Sequence, residues 1–201
     1  LSNVFGAVKF YKKAIDKSIK PLIGCDVWLQ NENNRNQPYR ILILCQSQEG
    51  YLNLSRLLSK SFLENQYKGR AEIKSSWLLD EFNEGLIVLS GAVQGEIGQL
   101  ILNDKSEEAS KTVKKWQEKF GDRFYLELQR FAEGKAYDEQ ERYIQHALHL
   151  ASENNIPVVA THPIQFMQQE DFRAHETKTC IAEGYVLSDS RRPKTFSENQ
   201  F

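Results

Sequence analysis

One stretch constrains the fold more than any other: the short apolar run Val158-Val159-Ala160, which leads into Thr161-His162-Pro163. A short β-branched run of this kind is typical of a buried strand in a parallel sheet. The strand must end at Pro163, because proline has no backbone N–H to donate to a neighbouring strand. In α/β folds the loops at the carboxyl ends of parallel strands carry the chemistry. His162, Pro163 and Gln165 therefore lie where a catalytic set is expected.

Four further apolar runs predict strands, and amphipathic segments between them predict helices. The strands are predicted at residues 22–29, 40–45, 86–90 and 124–128, and the helices at residues 5–18, 49–64, 77–82, 96–102, 106–120, 137–152 and 171–182, with a turn region at residues 69–76. This alternation predicts one parallel α/β domain over residues 1–201. A barrel is favoured over an open sheet, because the sequence contains no glycine-rich phosphate turn.

Composition excludes several classes of protein. Apolar residues make up 40% and charged residues 26% of the 201 positions, as in ordinary globular proteins. A net charge of −1 gives no broad basic field for nucleic acid. No apolar run reaches the roughly 18–20 residues that a bilayer-spanning helix needs, and no signal peptide opens the chain. Cys25, Cys45 and Cys180 are far apart, which predicts reduced thiols and a cytoplasmic location.

The order of several short segments carries a resemblance to a known family. These segments are residues 3–8, 19–27, 50–54, 84–91, 124–128, 157–161 and 171–176. Together they resemble the PHP (polymerase and histidinol phosphatase) domain of the alpha subunit of bacterial DNA polymerase III. The resemblance implies a distorted, TIM-like (β/α)₇ barrel. Because the chain opens on Leu1 rather than Met, we expect a piece of a longer protein, with the first strand and a half upstream and the polymerase core downstream.

Intact PHP sites hold a cluster of metal ions with His, Asp, Glu and sometimes Cys side chains, and this chain departs from that pattern. The family's opening His-x-His motif would lie upstream, and the positions matched to the other ligands are Leu1, Asp26, Arg40, Ala92, Pro163 and Gln165. Asp26 alone keeps an anionic ligand, and Arg40 adds positive charge where cations would bind. The resemblance therefore predicts a degenerate metal site, with no cofactor and no catalytic residue in this chain.

Other polar residues have a structural interpretation beside a functional one. His162 could ligate a metal, but a loop histidine bonded to backbone is favoured. His146 and His149 are favoured as solvated, His175-Glu176 as a local network, and Glu127 as a paired structural carboxylate rather than a buried base. Arg191, Arg192 and Lys194 form a basic cluster that could contact DNA phosphate or a partner, although a solvated loop is favoured.

Three functions compete. The first is a catalytically silent scaffold in a replicative polymerase, the second an active metal-dependent phosphoesterase or 3′–5′ exonuclease, and the third an unrelated barrel enzyme using His162 and Glu127. The resemblance favours the first. It implies DNA-templated DNA synthesis with Mg²⁺ in the parent protein, and as partners the proofreading exonuclease (epsilon) subunit, the sliding clamp, other holoenzyme subunits and DNA. We also expect residues 1–201 alone to pack loosely, because a barrel without its opening strand has unpaired backbone groups.

Overall fold

The computed structural model describes residues 1–131, 135–192, 194 and 196–201. The strands in this part are β1 (Gly24–Leu29), β2 (Tyr39–Cys45), β3 (Gln66–Tyr67), β4 (Arg70–Ile73), β5 (Leu86–Leu89), β6 (Phe124–Leu128) and β7 (Val158–Ala160). The α-helices are α1 (Ala7–Asp16), α2 (Gln48–Glu64), α3 (Glu96–Leu102), α4 (Ser106–Phe120), α5 (Lys135–Asn154) and α6 (Phe172–Glu183). A π-helical turn lies at Trp77–Glu81, and short 3₁₀ turns lie at Ala92–Gln94, Gly121–Arg123 and Gln169–Asp171.

The strands form one mixed sheet in the order β3-β4-β1-β2-β5-β6-β7. The α/β class predicted from the sequence is confirmed. Neighbours β1/β4, β5/β6 and β6/β7 run parallel. Across the described residues, β3 and β7 are the two edges of this sheet, which does not close into a barrel.

The prediction that all strands run parallel is wrong at β2. This strand is antiparallel to both of its neighbours, β1 and β5. The physical reason is the connection: β1 reaches β2 through the loop of residues 30–38. A parallel pair needs a crossover of about a dozen residues or more, usually a helix, so a short loop turns the chain back on itself.

Residues 69–76, predicted as a turn region, contain strand β4, which pairs with β3 as a small hairpin. Lys68 and Gly69 both have positive φ (50° and 77°), as two-residue hairpin turns require. The sequence pattern does not predict this strand, because one of its inward positions carries the charged residue Glu72, which is 0% exposed. Its carboxylate is held by Arg35 at 3.0 Å and Arg70 at 2.6 Å. A buried charge with two cationic partners can occupy a core position.

The core lies between the sheet and helices α2 to α5. The helical spacing of Val113, Trp116 and Phe120 predicts the inner stripe of α4, and all three are 2% exposed or less. The Trp116 ring stacks on Phe124 of β6 with ring centroids 6.0 Å apart. Helix α2 begins at Gln48, one residue before the predicted start, because the Ser47 side chain accepts a hydrogen bond from the Gly50 backbone N–H at 3.2 Å. These contacts fix the helices against the sheet.

Helix α1 differs from the others. Its spacing predicts a buried apolar stripe, yet Val8, Tyr11 and Ile15 are 61%, 50% and 51% exposed. Ala14 is the buried residue of this helix. The apolar side of α1 is therefore open in this structure, although the periodicity that predicted a helix was correct.

Candidate functional site: an arginine between two carboxylates

Two neighbouring strands place Asp26 and Arg40 side by side. Arg40 opposes Trp28 across the β1/β2 ladder, and Asp26 lies two residues from Trp28 on the same face of β1. The Arg40 Nε donates to Asp26 Oδ1 at 2.6 Å. The Asp26 side chain is 33% exposed and that of Arg40 is 11% exposed. This ion pair therefore lies at the boundary between core and solvent.

The same guanidinium reaches a second carboxylate on β6. Arg40 Nη1 donates to Glu127 Oε2 at 3.3 Å, and Nη2 lies 3.5 Å from Oε1. Glu127 is 0% exposed. We call Asp26, Arg40 and Glu127 the arginine bridge. It joins residues that are 87 positions apart in the chain.

Neutral donors complete the surroundings of Glu127. Its Oε1 accepts hydrogen bonds from the Thr161 hydroxyl at 2.5 Å and from Gln129 Nε2 at 3.0 Å. The Glu127 backbone N–H donates to the Ser90 hydroxyl at 3.0 Å, and its carbonyl accepts from Tyr143 at 2.7 Å. Burial raises the pKa of Tyr143, so this phenol stays a donor. Both carboxylate oxygens of Glu127 are therefore engaged.

Electrostatics keep Arg40 positively charged. Burial alone lowers the pKa of Arg40, but the negative charges of Asp26 and Glu127 outweigh this effect and raise the pKa above its ordinary value. A guanidinium that stays charged is neither a general base nor a metal ligand. Its positive charge also compensates the two carboxylates that a divalent cation would otherwise use. The arrangement binds strands together and offers no open coordination position.

At the other positions matched to metal ligands, the structure shows backbone contacts. Leu1 precedes Ser2, whose backbone N–H donates to the Asp26 carbonyl at 2.7 Å. Ala92 is 1% exposed and follows Gly91, which lies against the Arg40 backbone. Gln165 donates its backbone N–H to the Gln200 carbonyl at 2.8 Å, and the Pro163 carbonyl accepts from the Gln200 side chain at 3.2 Å. Within the described residues, no group of three or more His, Cys, Asp or Glu side chains could hold a metal ion.

Three of the histidines occupy the structural settings that the sequence favoured, but His175 does not form the expected local network: its buried Nδ1 has no hydrogen-bond partner among the described residues. His162 Nε2 lies 2.6 Å from the Asn199 carbonyl. His146 and His149 are exposed, and His149 lies 3.3 Å from Glu153. His175 packs edge-on against Phe196 with ring centroids 4.6 Å apart. None of these contacts brings a histidine to Glu127, so the third function has no catalytic pair here.

The predicted basic cluster is largely compensated by acidic neighbours. Arg191 forms two hydrogen bonds with the Asp189 carboxylate, at 3.0 and 2.8 Å. Arg192 pairs with Glu176 at 2.8 Å, and both side chains are mostly buried. Lys194 is exposed. The cluster therefore presents fewer uncompensated charges than its sequence indicates.

Sequence reasoning missed the arginine bridge as a unit. Each member was singled out separately, but the two strands that carry Arg40 and Glu127 are separated by β5. The signal that could have found it is a charged residue within each of two apolar runs, 40–45 and 124–128. Charges in buried strands require partners of opposite sign.

The comparisons with known proteins agree with this fold. The family model described as PHP domain matches residues 1–131, which is more than half of the chain. The chain belongs to the PHP domain family.

Among individual proteins, the chain is similar to DNA polymerase III subunit alpha from several bacteria. It is 42% identical over 200 residues to that of Pseudomonas aeruginosa and 42% identical over 202 residues to that of Neisseria meningitidis serogroup A. It is 39% identical over 200 residues to that of Vibrio cholerae. Each match covers 100% of this chain and 17% of the relative. The chain therefore spans 17% of the length of these curated relatives.

In the described ranges, no helix is both long and apolar enough to cross a bilayer.

Proposed function

We propose that this chain is the PHP domain of a replicative DNA polymerase III alpha subunit, and that it is a catalytically silent scaffold that docks the proofreading exonuclease subunit. The names of the similar proteins and the PHP family support the first part. The arginine bridge supports the catalytic silence in the second part, and the docking role rests on the family resemblance. Because Asp26 and Glu127 are both bound by Arg40, the residues that could bind cations are already compensated by a protein charge.

The resident metal cluster of intact PHP sites does not fit the residues present. Leu1, Ala92 and Pro163 have no ligating side-chain atom, and Arg40 repels cations. Asp26 is the one matched position that retains a carboxylate. We therefore propose that this domain binds no metal cluster and hydrolyses no phosphoester.

The competing proposal is an active metal-dependent phosphoesterase or 3′–5′ exonuclease. It would require Arg40 to release both carboxylates so that metal ions could enter. Breaking a buried ion pair costs on the order of 3–5 kcal/mol, since a buried charge is left without its partner. The silent scaffold needs no such rearrangement, and this difference favours it.

We make further proposals about the longer protein to which this domain belongs. We propose that the sheet belongs to a distorted (β/α)₇ barrel, since the strand order ends at β7 with an open edge. The parent protein would carry out DNA-templated synthesis with Mg²⁺ outside this domain, in the cytoplasm, together with the sliding clamp. Lys194 is the exposed member of the basic cluster available to DNA or a partner, whereas Arg191 and Arg192 are already paired.

The exonuclease proposal is tested by reconstitution of the full-length protein with the exonuclease subunit of the same organism. We expect the two chains to co-elute in size-exclusion chromatography. We also expect the full-length protein alone to leave a mismatched 3′ end uncut. Excision of that end by the polymerase chain alone, lost on Asp26→Ala, would support the competing proposal. Failure of the two chains to associate would refute the docking role.

A further inference from the structure

The β3–β4 hairpin and a neighbouring loop gather three cationic side chains around the Tyr67 ring. The guanidinium carbons of Arg35 and Arg70 lie 4.7 and 5.9 Å from the centroid of this ring. The Lys68 Nζ lies 5.4 Å from the same centroid. We call Arg35, Lys68 and Arg70 the hairpin cations. The loop of residues 30–38 supplies the first of them and the hairpin the other two, so folding brings them together.

The hairpin cations carry more positive charge than the protein compensates. Among the described residues, Glu72 is the one carboxylate that forms ion pairs with them, and it binds both arginines. Lys68 is exposed and forms no ion pair in the same ranges. Glu32 and Glu64, the next carboxylates along the chain, are exposed and lie beyond ion-pair distance of the three cations. Because like charges repel, this arrangement costs stability that a bound anion would restore.

Each hairpin cation is held in place by a neutral acceptor. Arg35 donates to Asn65 Oδ1 at 3.0 Å, and Arg70 donates to the Arg35 backbone carbonyl at 2.6 Å. Lys68 Nζ donates to Asn36 Oδ1 at 2.8 Å. Side chains that are ordered before a partner arrives bind it at a lower entropic cost. The three cations therefore form a prepared surface.

The two arginines also keep donors that the protein does not use. Across the part of the chain that the structure describes, Nη1 of Arg35 and Nη1 of Arg70 form no hydrogen bond. Their side chains are 31% and 25% exposed, so solvent reaches both. A planar guanidinium matches the oxygens of a phosphate group, and a phosphate supplies the missing negative charge. The surface is therefore suited to phosphate.

We propose that the hairpin cations bind backbone phosphates of DNA. A DNA strand carries one negative charge per about 3.4 Å of helix axis, so neighbouring phosphates can meet cations that surround one ring. An extended acidic peptide presents side chains to one face only every ~6.6 Å, so it brings fewer charges over the same length. DNA is favoured for this reason. The inference rests on the proposed role of the longer protein in DNA synthesis, and it adds a DNA contact within the scaffold domain.

The test uses the full-length protein and a fluorescently labelled primer–template DNA, with affinity measured by anisotropy over a series of salt concentrations. We expect Lys68→Asn to weaken binding about five- to tenfold at about 0.1 M salt, since one phosphate contact is lost. The slope of log affinity against log salt should become shallower by about 1. Asparagine tolerates the φ of +50° at this position, so the hairpin is kept.

A second variant separates charge from geometry. Arg70→Lys keeps the positive charge and removes the guanidinium fork, so it should weaken binding while the salt slope stays the same. The control is Lys111→Gln, which removes an exposed lysine of α4 that forms no ion pair in the described ranges. Its affinity should stay within about twofold of that of the unmodified protein.

The outcomes separate this inference from the function on which it rests. No binding of the primer–template by the unmodified protein would overturn the role in DNA synthesis, and the inference with it. Normal binding by the unmodified protein, with affinity and slope unchanged in Lys68→Asn or in Arg70→Lys, would refute the DNA contact and leave that role standing. Weaker binding of the exonuclease subunit by Lys68→Asn, with DNA binding unchanged, would assign the surface to a protein. Protection of Lys68 from acetylation by inorganic phosphate but not by the primer–template would assign it to free phosphate. Either of these last two results would refute the inference.

Discussion

Replacing Arg40 by methionine tests the energetic role of the arginine bridge. Methionine keeps much of the side-chain volume and removes the charge. Glu127, 0% exposed, would then keep its neutral donors Thr161 and Gln129 but lose its cationic partner. Removing one partner of a buried ion pair typically costs about 3–5 kcal/mol. That is a large part of the roughly 5–15 kcal/mol that stabilises a domain.

Amide hydrogen exchange of β2 and β6 in the full-length protein measures this cost where it arises. A loss of about 3 kcal/mol lowers the protection of these amides by more than about a hundredfold. The control is Arg191→Met, in which an exposed pair with Asp189 is removed and no measurable change is expected. Unchanged protection of β2 and β6 in Arg40→Met would refute the role given to the bridge.

A double variant separates the energetic contribution of the ion pair from that of side-chain packing. Glu127→Gln removes the fully buried negative charge, so Arg40→Met/Glu127→Gln leaves only Asp26, whose side chain is 33% exposed, without its partner. We expect the double variant to be less destabilised than Arg40→Met alone, with a coupling of about 2 kcal/mol or more. Additive effects of the two substitutions would show that Arg40 stabilises the strands through its methylene groups instead.

Two further predictions concern the surroundings of the bridge. Gly91→Ala should destabilise the domain by more than about 2 kcal/mol, because φ is +84° and the added Cβ would lie 2.0 Å from the Arg40 carbonyl oxygen. Gly69→Ala is the control: its φ is +77° but nothing lies within 4 Å of the added Cβ, so it should cost only the left-handed backbone strain. Equal losses of stability in Gly91→Ala and Gly69→Ala, measured by thermal melts, would contradict this. Burial raises the pKa of Cys25 to about 11, so its stabilising contribution is complete at neutral pH and is lost as the pH rises from about 9 to about 11. Iodoacetamide at pH ~8 should therefore label the half-buried Cys45 before Cys25, as mass spectrometry can show, and the reverse order would contradict the burial.

Local patterns predicted the elements that are amphipathic or uniformly apolar. The bounds predicted for the helix at residues 106–120 and the strand at residues 124–128 match α4 and β6. Strand β4 was missed because Arg70 and Glu72 break its apolar pattern, and the pairing of Glu72 with Arg35 is a long-range contact. The helical spacing of Ile144, Ala147, Leu148 and Ala151 predicts that Leu148 faces inward, yet it is 44% exposed, because spacing alone does not specify which neighbours α5 contacts.

The candidate site was predictable in its residues and not in its geometry. The family resemblance gave Asp26 and Arg40 as altered ligand positions, and apolar neighbours marked Glu127 as buried. Arg40 bonds both carboxylates because the strands are arranged in the order β1-β2-β5-β6. This order is set by the loops and helices that connect the strands. The open face of α1 could not be predicted either. Periodicity shows which side of a helix is apolar, but it does not show whether another element packs against that side.

The metal content of the purified full-length protein, measured together with its phosphoesterase activity, tests the central claim most directly. We expect no stoichiometric Zn²⁺, Mn²⁺ or Fe in the PHP domain, and no hydrolysis of a phosphomonoester substrate in the presence of added Mn²⁺ or Zn²⁺. Asp189→Ala is the matched acidic control outside the bridge. Two or more metal ions bound in this domain, with hydrolysis abolished by Asp26→Ala and kept in Asp189→Ala, would contradict the account.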